Sequence, residues 1–193
     1  MKKREFSARK ISGPVQWVRI YRLYCAAFPD SERKPFSMIV RMWRKGKTDV
    51  WYYTVDSRFA GFASTINGNR EVLVDYLAVD ASMRGKGVGT KILSSLKEQY
   101  AGQGFFVEIE SAWEEAEDRA ERQRRKRFYE RCGMKSMNVM AEVFGVKMEL
   151  LTWECQMDFQ KYHAFYRDNY SVWAAEHIIE AIHPEAKNSI RSE

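Results

Sequence analysis

The sequence predicts a single domain of the α/β or α+β class, in which helices flank a central mixed sheet. Two neighbouring stretches, Val50–Val55 and Arg58–Ile66, are rich in β-branched and aromatic residues and predict adjacent strands. A third strand pattern, Glu71–Asp80, runs through a glycine-rich turn into a helical pattern at Val88–Tyr100, and a strand pattern at Phe105–Glu110 follows. Adjacent strands together with a strand–helix–strand unit favour a mixed sheet.

The remaining elements follow from local signals. Asp56-Ser57 joins the first two strands and predicts a hairpin. Helical periodicity at Val15–Phe28 and Ser37–Arg44 predicts two helices ahead of the sheet. Two β-rich stretches near Val139–Val146 and Lys147–Cys155 predict strands after it.

Two further helices are predicted in the second half of the chain. Residues 111–132 begin with a capping-box pattern from Ser111 to Glu114, and acidic residues in their first turns precede arginines in the last, an order that complements the helix dipole. Aromatic residues at helical spacing predict a C-terminal helix over about 158–182.

Composition predicts one folded domain over residues 1–193. The chain has 193 residues, 45% of them hydrophobic and 30% charged, which excludes intrinsic disorder and collagen-like repeats. It has no apolar run long enough for a transmembrane helix, and no apolar region follows the basic N-terminus as a signal peptide would require. We therefore expect no membrane partner.

Cysteine and histidine usage indicates a reducing, cytoplasmic location and no metal site. The 3 cysteines, Cys25, Cys132 and Cys155, are scattered and form no CxxC motif, and the histidines form no ligand cluster. Cys132 is a candidate for an acetylated nucleophile, and the pattern favours a packing role for it.

The positive charge is concentrated near the N-terminus, because residues 1–50 carry 13 Lys/Arg against 4 Asp/Glu. A basic region can bind nucleic acid, but a solvated surface is the simpler interpretation, and no nucleic-acid partner is predicted.

The chemistry is concentrated in the turn Arg84-Gly85-Lys86-Gly87-Val88-Gly89, which joins a buried strand to a helix. Such a turn directs backbone N–H groups toward one point at the positive end of the helix, and two basic side chains add charge. A phosphate or pyrophosphate is the expected ligand. The turn matches neither a P-loop nor a dinucleotide fingerprint, since Thr90 occupies the third glycine position of the latter.

At these residues the sequence resembles the GNAT family of N-acetyltransferases. Arg84–Gly89 fits the family's [Q/R]xxGx[G/A] pyrophosphate motif, Leu77–Asp80 is similar to the end of its fourth strand, and Arg127–Met134 is similar to the end of its fourth helix. The resemblance covers about residues 15–155 and implies a twisted mixed sheet with the acyl-CoA N-acyltransferase fold. One departure lies on the fourth helix, where Arg122 and Arg125 replace the Asn and Ala that the family often carries.

The resemblance implies transfer of an acetyl group from acetyl-CoA to a primary amine by direct attack in a ternary complex, without a metal. Tyr129 matches the family's general acid, which protonates the CoA thiolate. The residues that the resemblance assigns to acetyl-CoA are Leu77, Ala78, Val79, Arg84, Gly85, Lys86, Gly87, Val88, Gly89 and Thr90.

The acceptor amine requires a base, and several carboxylates are candidates. Glu108 and Glu110 share one face of a strand and are predicted to bind a cationic acceptor and relay its proton. Asp75 on the preceding strand is a predicted acceptor-site residue, and so is Glu32 in the polar loop Phe28–Pro35, which Pro29 and Pro35 bracket. We refer to this loop as the acceptor loop. An exposed or salt-bridged strand face is an equally good explanation of the pair Glu108 and Glu110.

Two other functions stay open at this point. A catalytically silent acyl-CoA sensor would keep the fold without turnover, and a basic nucleic-acid-binding module would show steeply salt-dependent binding. The sequence does not identify the acceptor, and small-molecule amines and peptide amines both remain candidates. It also leaves open whether the protein is a monomer or a homodimer.

Overall fold

The computed structural model of the chain describes residues 4–182. Within them, eight strands and six α-helices follow one another, with short 3₁₀ helices at Asp30–Glu32 and Ala81–Met83. The strands are β1 (Phe6–Lys10), β2 (Thr48–Val55), β3 (Arg58–Asn67), β4 (Val72–Val79), β5 (Phe105–Glu110), β6 (Lys135–Val143), β7 (Val146–Trp153) and β8 (Ile178–Ala181). The helices are α1 (Pro14–Ala27), α2 (Phe36–Arg44), α3 (Val88–Gln99), α4 (Arg119–Arg131), α5 (Phe159–Asn169) and α6 (Val172–Glu176).

The chain divides into two compact units. The first contains the residues up to Asn67 together with Leu73–Ala101, and its strands lie in the order β1-β2-β3-β4. The second contains Gly68–Val72 and the described residues from Gly102 onward, with its strands in the order β5-β7-β6-β8.

The predicted β2–β3 hairpin is confirmed. The two strands are antiparallel, and Val55 pairs with Arg58 across the two-residue turn. Asp56 and Ser57 have φ angles of 49° and 63°, and this left-handed conformation at both turn residues matches the right-handed twist of the flanking strands.

An apolar core fills the first unit between its helices and strands. Tyr24 of α1 is 2% exposed and makes an edge contact with the ring of Tyr76 on β4 at a centroid distance of 4.8 Å. Ile20, Ile39 and Phe62 belong to the same buried cluster. This packing places the residues before α2 against β4.

The N-terminal strand β1 was not predicted from the sequence. Its five residues, Phe6–Lys10, pair antiparallel with β2 and are mostly exposed. A short, charged edge strand carries almost no hydrophobic pattern, and its pairing with β2 alone defines it.

The predicted start of α4 was wrong, because the helix begins at Arg119 and not at Ser111. The chain continues the strand pairing past β5, since the amide of Ser111 donates to the carbonyl of Lys147 at 2.8 Å. The next amide, that of Ala112, donates to the carboxylate of Glu149 at 2.8 Å. These long-range bonds hold the segment outside the helix.

The predicted C-terminal helix over 158–182 was also wrong in its extent. Helix α5 ends at Asn169, and Ser171 adopts an extended conformation and caps α6 by accepting from the amide of Ala174. Strand β8 then pairs antiparallel with β6, with Ile178 opposite Val143. None of the helices within residues 4–182 is both long and apolar enough to cross a membrane.

Candidate active site

The glycine-rich turn joins β4 to α3 and leaves open space around its backbone. Gly85 and Gly87 have φ angles of 72° and 74°, a conformation that glycine adopts without steric cost. A Cβ atom built on either residue would meet no atom within 4 Å among the described residues. A ligand can therefore approach the turn closely.

The turn ends at the N-terminus of α3, which is well suited to bind an anion. Gly87 is the N-cap, and no described side chain caps the helix there. Arg84 and Lys86 are exposed on the turn, where Lys86 Nζ donates to the carbonyl of Ser82 at 2.6 Å. Backbone amides at the positive end of a 12-residue helix, together with two cations, fit the pyrophosphate of a CoA molecule.

Three hydrogen bonds fix the end of β4 just before the turn. Asp80 Oδ1 accepts from the amide and the hydroxyl of Ser82, at 3.0 Å and 2.6 Å. The amide of Asp80 donates to the carbonyl of Ala60 at 2.9 Å. The turn is thereby tied to β3 before the first glycine.

Gly61 on β3 lies against the strand end that the sequence assigned to acetyl-CoA. A Cβ atom at Gly61 would lie 2.4 Å from the carbonyl oxygen of Ala78 and 3.3 Å from Cα of Val79. Only glycine allows this close approach of β3 to β4. The sequence analysis missed Gly61, although a glycine within a strand pattern is a known sign of close backbone approach.

The exposure of β4 alternates along its last residues. Leu77 and Val79 are half-buried, as is Asp75, whereas Tyr76 and Ala78 are buried. This period of two places Asp75, Leu77 and Val79 on one face of the strand.

Asp75 forms an ion pair within the first unit. Its Oδ1 atom accepts from Lys34 Nζ at 2.6 Å. The hydroxyl of Tyr76 accepts from the amide of Lys34 and donates to the carbonyl of Glu32. The predicted acceptor loop is therefore fixed to β4 through Lys34, a residue that the sequence analysis did not single out.

Tyr129, the predicted general acid, lies near the end of α4 and is buried, with 8% of its surface exposed. Burial raises the pKa of Tyr129 to about 12, and the nearby Arg125 guanidinium reduces this effect. The phenol is therefore protonated throughout the neutral pH range and has a proton to give.

Glu110 ends β5 and pairs with two arginines of α4. Arg122 Nη2 lies 2.9 Å from its Oε1 atom, and Arg125 Nη1 lies 3.5 Å from its Oε2 atom. Glu110 is 7% exposed, so the ion pairs are mostly shielded from water. The sequence analysis noted both arginines as departures from the family pattern but did not connect them with Glu110.

Glu108 has different partners, although it lies only two residues away on β5. The hydroxyls of Tyr162 and Tyr166 both donate to its Oε1 atom at 2.8 Å, and Tyr166 also contacts Oε2 at 3.0 Å. Both tyrosines belong to α5.

Within residues 4–182, no group of three or more histidine, cysteine, aspartate and glutamate side chains could hold a metal ion.

Comparisons with known proteins identify the family. A sequence model of the Acetyltransferase (GNAT) family matches residues 17–134, which is more than half of the chain. The chain belongs to this family, and the resemblance seen in its sequence is confirmed. No curated protein sequence matches the chain.

Solved structures of low sequence identity share the fold. A GNAT-family acetyltransferase from Bacteroides thetaiotaomicron is 18% identical with a TM-score of 0.69, and the match covers 88% of this chain and 98% of that one. A GNAT-family acetyltransferase from Elizabethkingia anophelis with acetyl-CoA bound is 12% identical with a TM-score of 0.59, over 78% of this chain and 98% of that one. A spermidine N-acetyltransferase from Vibrio cholerae is 12% identical with a TM-score of 0.59, over 77% and 92%. The predicted fold, a mixed sheet flanked by helices, is confirmed.

Proposed function

We propose that the protein transfers an acetyl group from acetyl-CoA to a primary amine by direct attack in a ternary complex. The observation that carries the proposal is the open turn Arg84–Gly89 at the glycine-capped N-terminus of α3, in a chain of the GNAT acetyltransferase family. Acetyl-CoA supplies an activated thioester.

The turn would bind the pyrophosphate of acetyl-CoA. The first amides of α3, from Val88 to Thr90, lie at the positive end of the helix, and Arg84 and Lys86 add formal charge. The backbone of Leu77–Val79 would bind the pantetheine arm alongside β4. Gly61 supports this arrangement because it keeps side-chain atoms away from Ala78.

Tyr129 would protonate the departing thiolate. Burial raises the pKa of Tyr129 to about 12, above the value near 8.5 of a free thiol, so the phenol is fully protonated and donates a hydrogen bond to the thiolate as it forms. Complete transfer of the proton is uphill by this difference in pKa, and the phenolate that it leaves takes a proton back from water. A positioned acid of this kind contributes roughly 10²- to 10⁴-fold to a rate.

Glu108 suits a cationic acceptor better than Glu110 does. Two guanidinium groups surround Glu110, so an approaching ammonium ion meets positive charge there. We therefore assign the role of general base to Glu108. Glu110 would hold α4 to β5 through its two arginine partners. Asp75 and Glu32 would help to form the acceptor site through the loop that Lys34 fixes to β4.

A catalytically silent acyl-CoA sensor is the second candidate, and one observation favours it. Two of the predicted acceptor-site carboxylates, Asp75 and Glu110, are committed to ion pairs within the protein. A sensor would bind acetyl-CoA at the turn and release no free thiol with any amine.

The test is the release of free thiol from acetyl-CoA in the presence of an amine. Spermidine, kanamycin and a peptide with a free N-terminal alanine serve as probes that span small, polycationic and peptide acceptors. We expect one of the probes to give amine-dependent release with intersecting initial-velocity lines, as a ternary complex requires. Parallel lines would contradict direct attack, and acetyl-CoA binding without release would support the sensor.

A further inference from the structure

Helix α5 lies beyond residues 17–134, which the family model matches, yet it contacts a residue of the proposed site. Its residues Tyr162 and Tyr166 are one turn apart and are 0% and 1% exposed. Both hydroxyls donate to Glu108 on β5, so one carboxylate accepts from two buried phenols.

Packing holds these phenols in place. The ring of Tyr162 makes an edge contact with the ring of Phe106 at a centroid distance of 6.1 Å. The ring of Phe165 also makes an edge contact with Phe106, at 5.0 Å. Tyr166 packs edge-on against Tyr162 at 5.3 Å. Phe106 and Glu108 are alternate residues of β5 and therefore lie on the same face of the strand. Helix α5 can thus pack against Phe106 and donate hydrogen bonds to Glu108.

Both ends of α5 have defined hydrogen bonds. Asp158 caps the N-terminus, because its carboxylate accepts from the amide of Lys161 at 2.8 Å. At the other end, the amide of Tyr170 donates to the carbonyl of Tyr166 at 2.9 Å. A capped helix with buried rings is a rigid support, which is what a precisely held carboxylate requires.

Tyr162 stays a neutral donor across the physiological pH range. Burial raises the pKa of Tyr162 well above its usual value, and the negative charge of Glu108 raises it further. A neutral phenol donates a charge-assisted hydrogen bond to the carboxylate, and such a bond fixes the orientation of the carboxylate.

We infer that Tyr162 and Tyr166 are positioning residues that orient the Glu108 carboxylate toward the acceptor amine. This inference rests on the proposed function. The acceptor's ammonium group gives a proton to Glu108: the N–H bond breaks, an O–H bond forms, and the electron pair stays on nitrogen. The carboxylic acid then returns its proton to water, so no further reactant is needed.

The experiment compares the variants Tyr162→Phe and Tyr166→Phe, alone and combined, with the wild type. Phenylalanine keeps the ring contacts, those of Tyr162 with Phe106 and of Tyr166 with Tyr162, and removes only the hydroxyl. The control is Tyr100→Phe, which also removes a buried hydroxyl, one that bonds Thr65 and Trp51 in the first unit. The measurements are kcat and KM for the probe amine that the wild type acetylates, the Kd of acetyl-CoA, and Tm.

We expect each single variant to lower kcat/KM for the amine about tenfold, since each loses a hydrogen bond to a charged group. The Kd of acetyl-CoA should stay within twofold of the wild-type value, and Tyr100→Phe should keep its kinetic constants whatever its Tm. In a Glu108→Gln background, the same tyrosine substitutions should cost less than twofold, because their effect passes through Glu108.

Three results would overturn the inference. Variants with a lowered Tm but wild-type kcat and KM would show that the tyrosines only support the fold. Full additivity with Glu108→Gln would show that they do not act through the carboxylate. A wild type that releases no thiol with any of the three probes would refute the proposed function itself and the inference with it, and this outcome is distinguishable because the wild type is measured first.

Discussion

Arg122 on α4 lies 2.9 Å from Glu110 at the end of β5, and Arg125 one turn later reaches the second oxygen of the same carboxylate. These two arginines occupy the positions where GNAT sequences often carry Asn and Ala. The departure from the family pattern is therefore linked to a partner on β5. Glu110 is 7% exposed, so the pair lies largely away from water.

Replacing Arg122 with alanine should destabilise the protein by about 3 kcal/mol, because it removes the nearer partner of a buried carboxylate. Urea unfolding measures this loss. Arg124→Ala on the same helix is the control, since Arg124 pairs with Glu121 at the surface, with side-chain exposures of 71% and 59%. It should change the free energy of unfolding by less than about 0.5 kcal/mol. Equal losses for the two variants would contradict a structural role for the Arg122–Glu110 pair.

Gly87→Ala should weaken acetyl-CoA binding by more than tenfold. A side chain there must adopt a φ of 74° and would project into open space that the pyrophosphate needs. Gly46→Ala is a matched control, because Gly46 has a φ of 71° and equally open surroundings at the end of α2. Both variants should lose about 1 kcal/mol of stability. If both variants lost the same acetyl-CoA affinity, backbone strain and not a ligand site at Gly87 would explain the loss.

Tyr129→Phe should slow acetyl transfer by about 10²-fold or more while leaving the Kd of acetyl-CoA within twofold, because only the departing thiolate needs the phenolic proton. Single-turnover thiol release measures the rate. Since the pKa of Tyr129 is about 12, the wild-type rate should not fall between pH 8 and 10 through loss of this proton. An unchanged rate in the variant would rule out Tyr129 as the acid.

Alkaline pH should destabilise the protein through its buried tyrosines. Burial raises the pKa values of Tyr24 and Tyr129 to about 12, whereas an unfolded tyrosine titrates near 10. The stability that their neutral forms contribute is complete below pH 10 and is lost as the pH rises toward 12, by about 2 kcal/mol each. Urea unfolding at pH 8 and pH 11 tests this, and Tyr24→Phe should lose less between the two. Equal stabilities at both pH values would contradict the prediction.

Local signals in the sequence predicted much of the fold. The Asp56-Ser57 hairpin needs only two residues that tolerate positive φ, and the strand at Phe105–Glu110 has its predicted bounds. The glycine-rich turn was likewise recognisable, because the residues that shape it are consecutive in the chain. These features depend on neighbours in sequence.

The elements that the sequence analysis missed depend on distant partners. The start of α4 is set by Glu149, which accepts from the amide of Ala112, 37 residues earlier in the chain. The acceptor-side loop is held by Lys34 and Asp75, which are 41 residues apart. Glu108 and Tyr166 are 58 residues apart. Helical and strand periodicity in the sequence does not predict contacts between residues so far apart. The partners of each carboxylate are therefore known only from the structure.

The most direct test is a calorimetric titration of the purified protein with acetyl-CoA, with free CoA and ATP as controls. The account predicts that acetyl-CoA and CoA bind with one site per chain and that ATP binds at least tenfold more weakly. Absence of acetyl-CoA binding at millimolar concentration would mean that the Arg84–Gly89 turn is only structural, and it would contradict the proposed function.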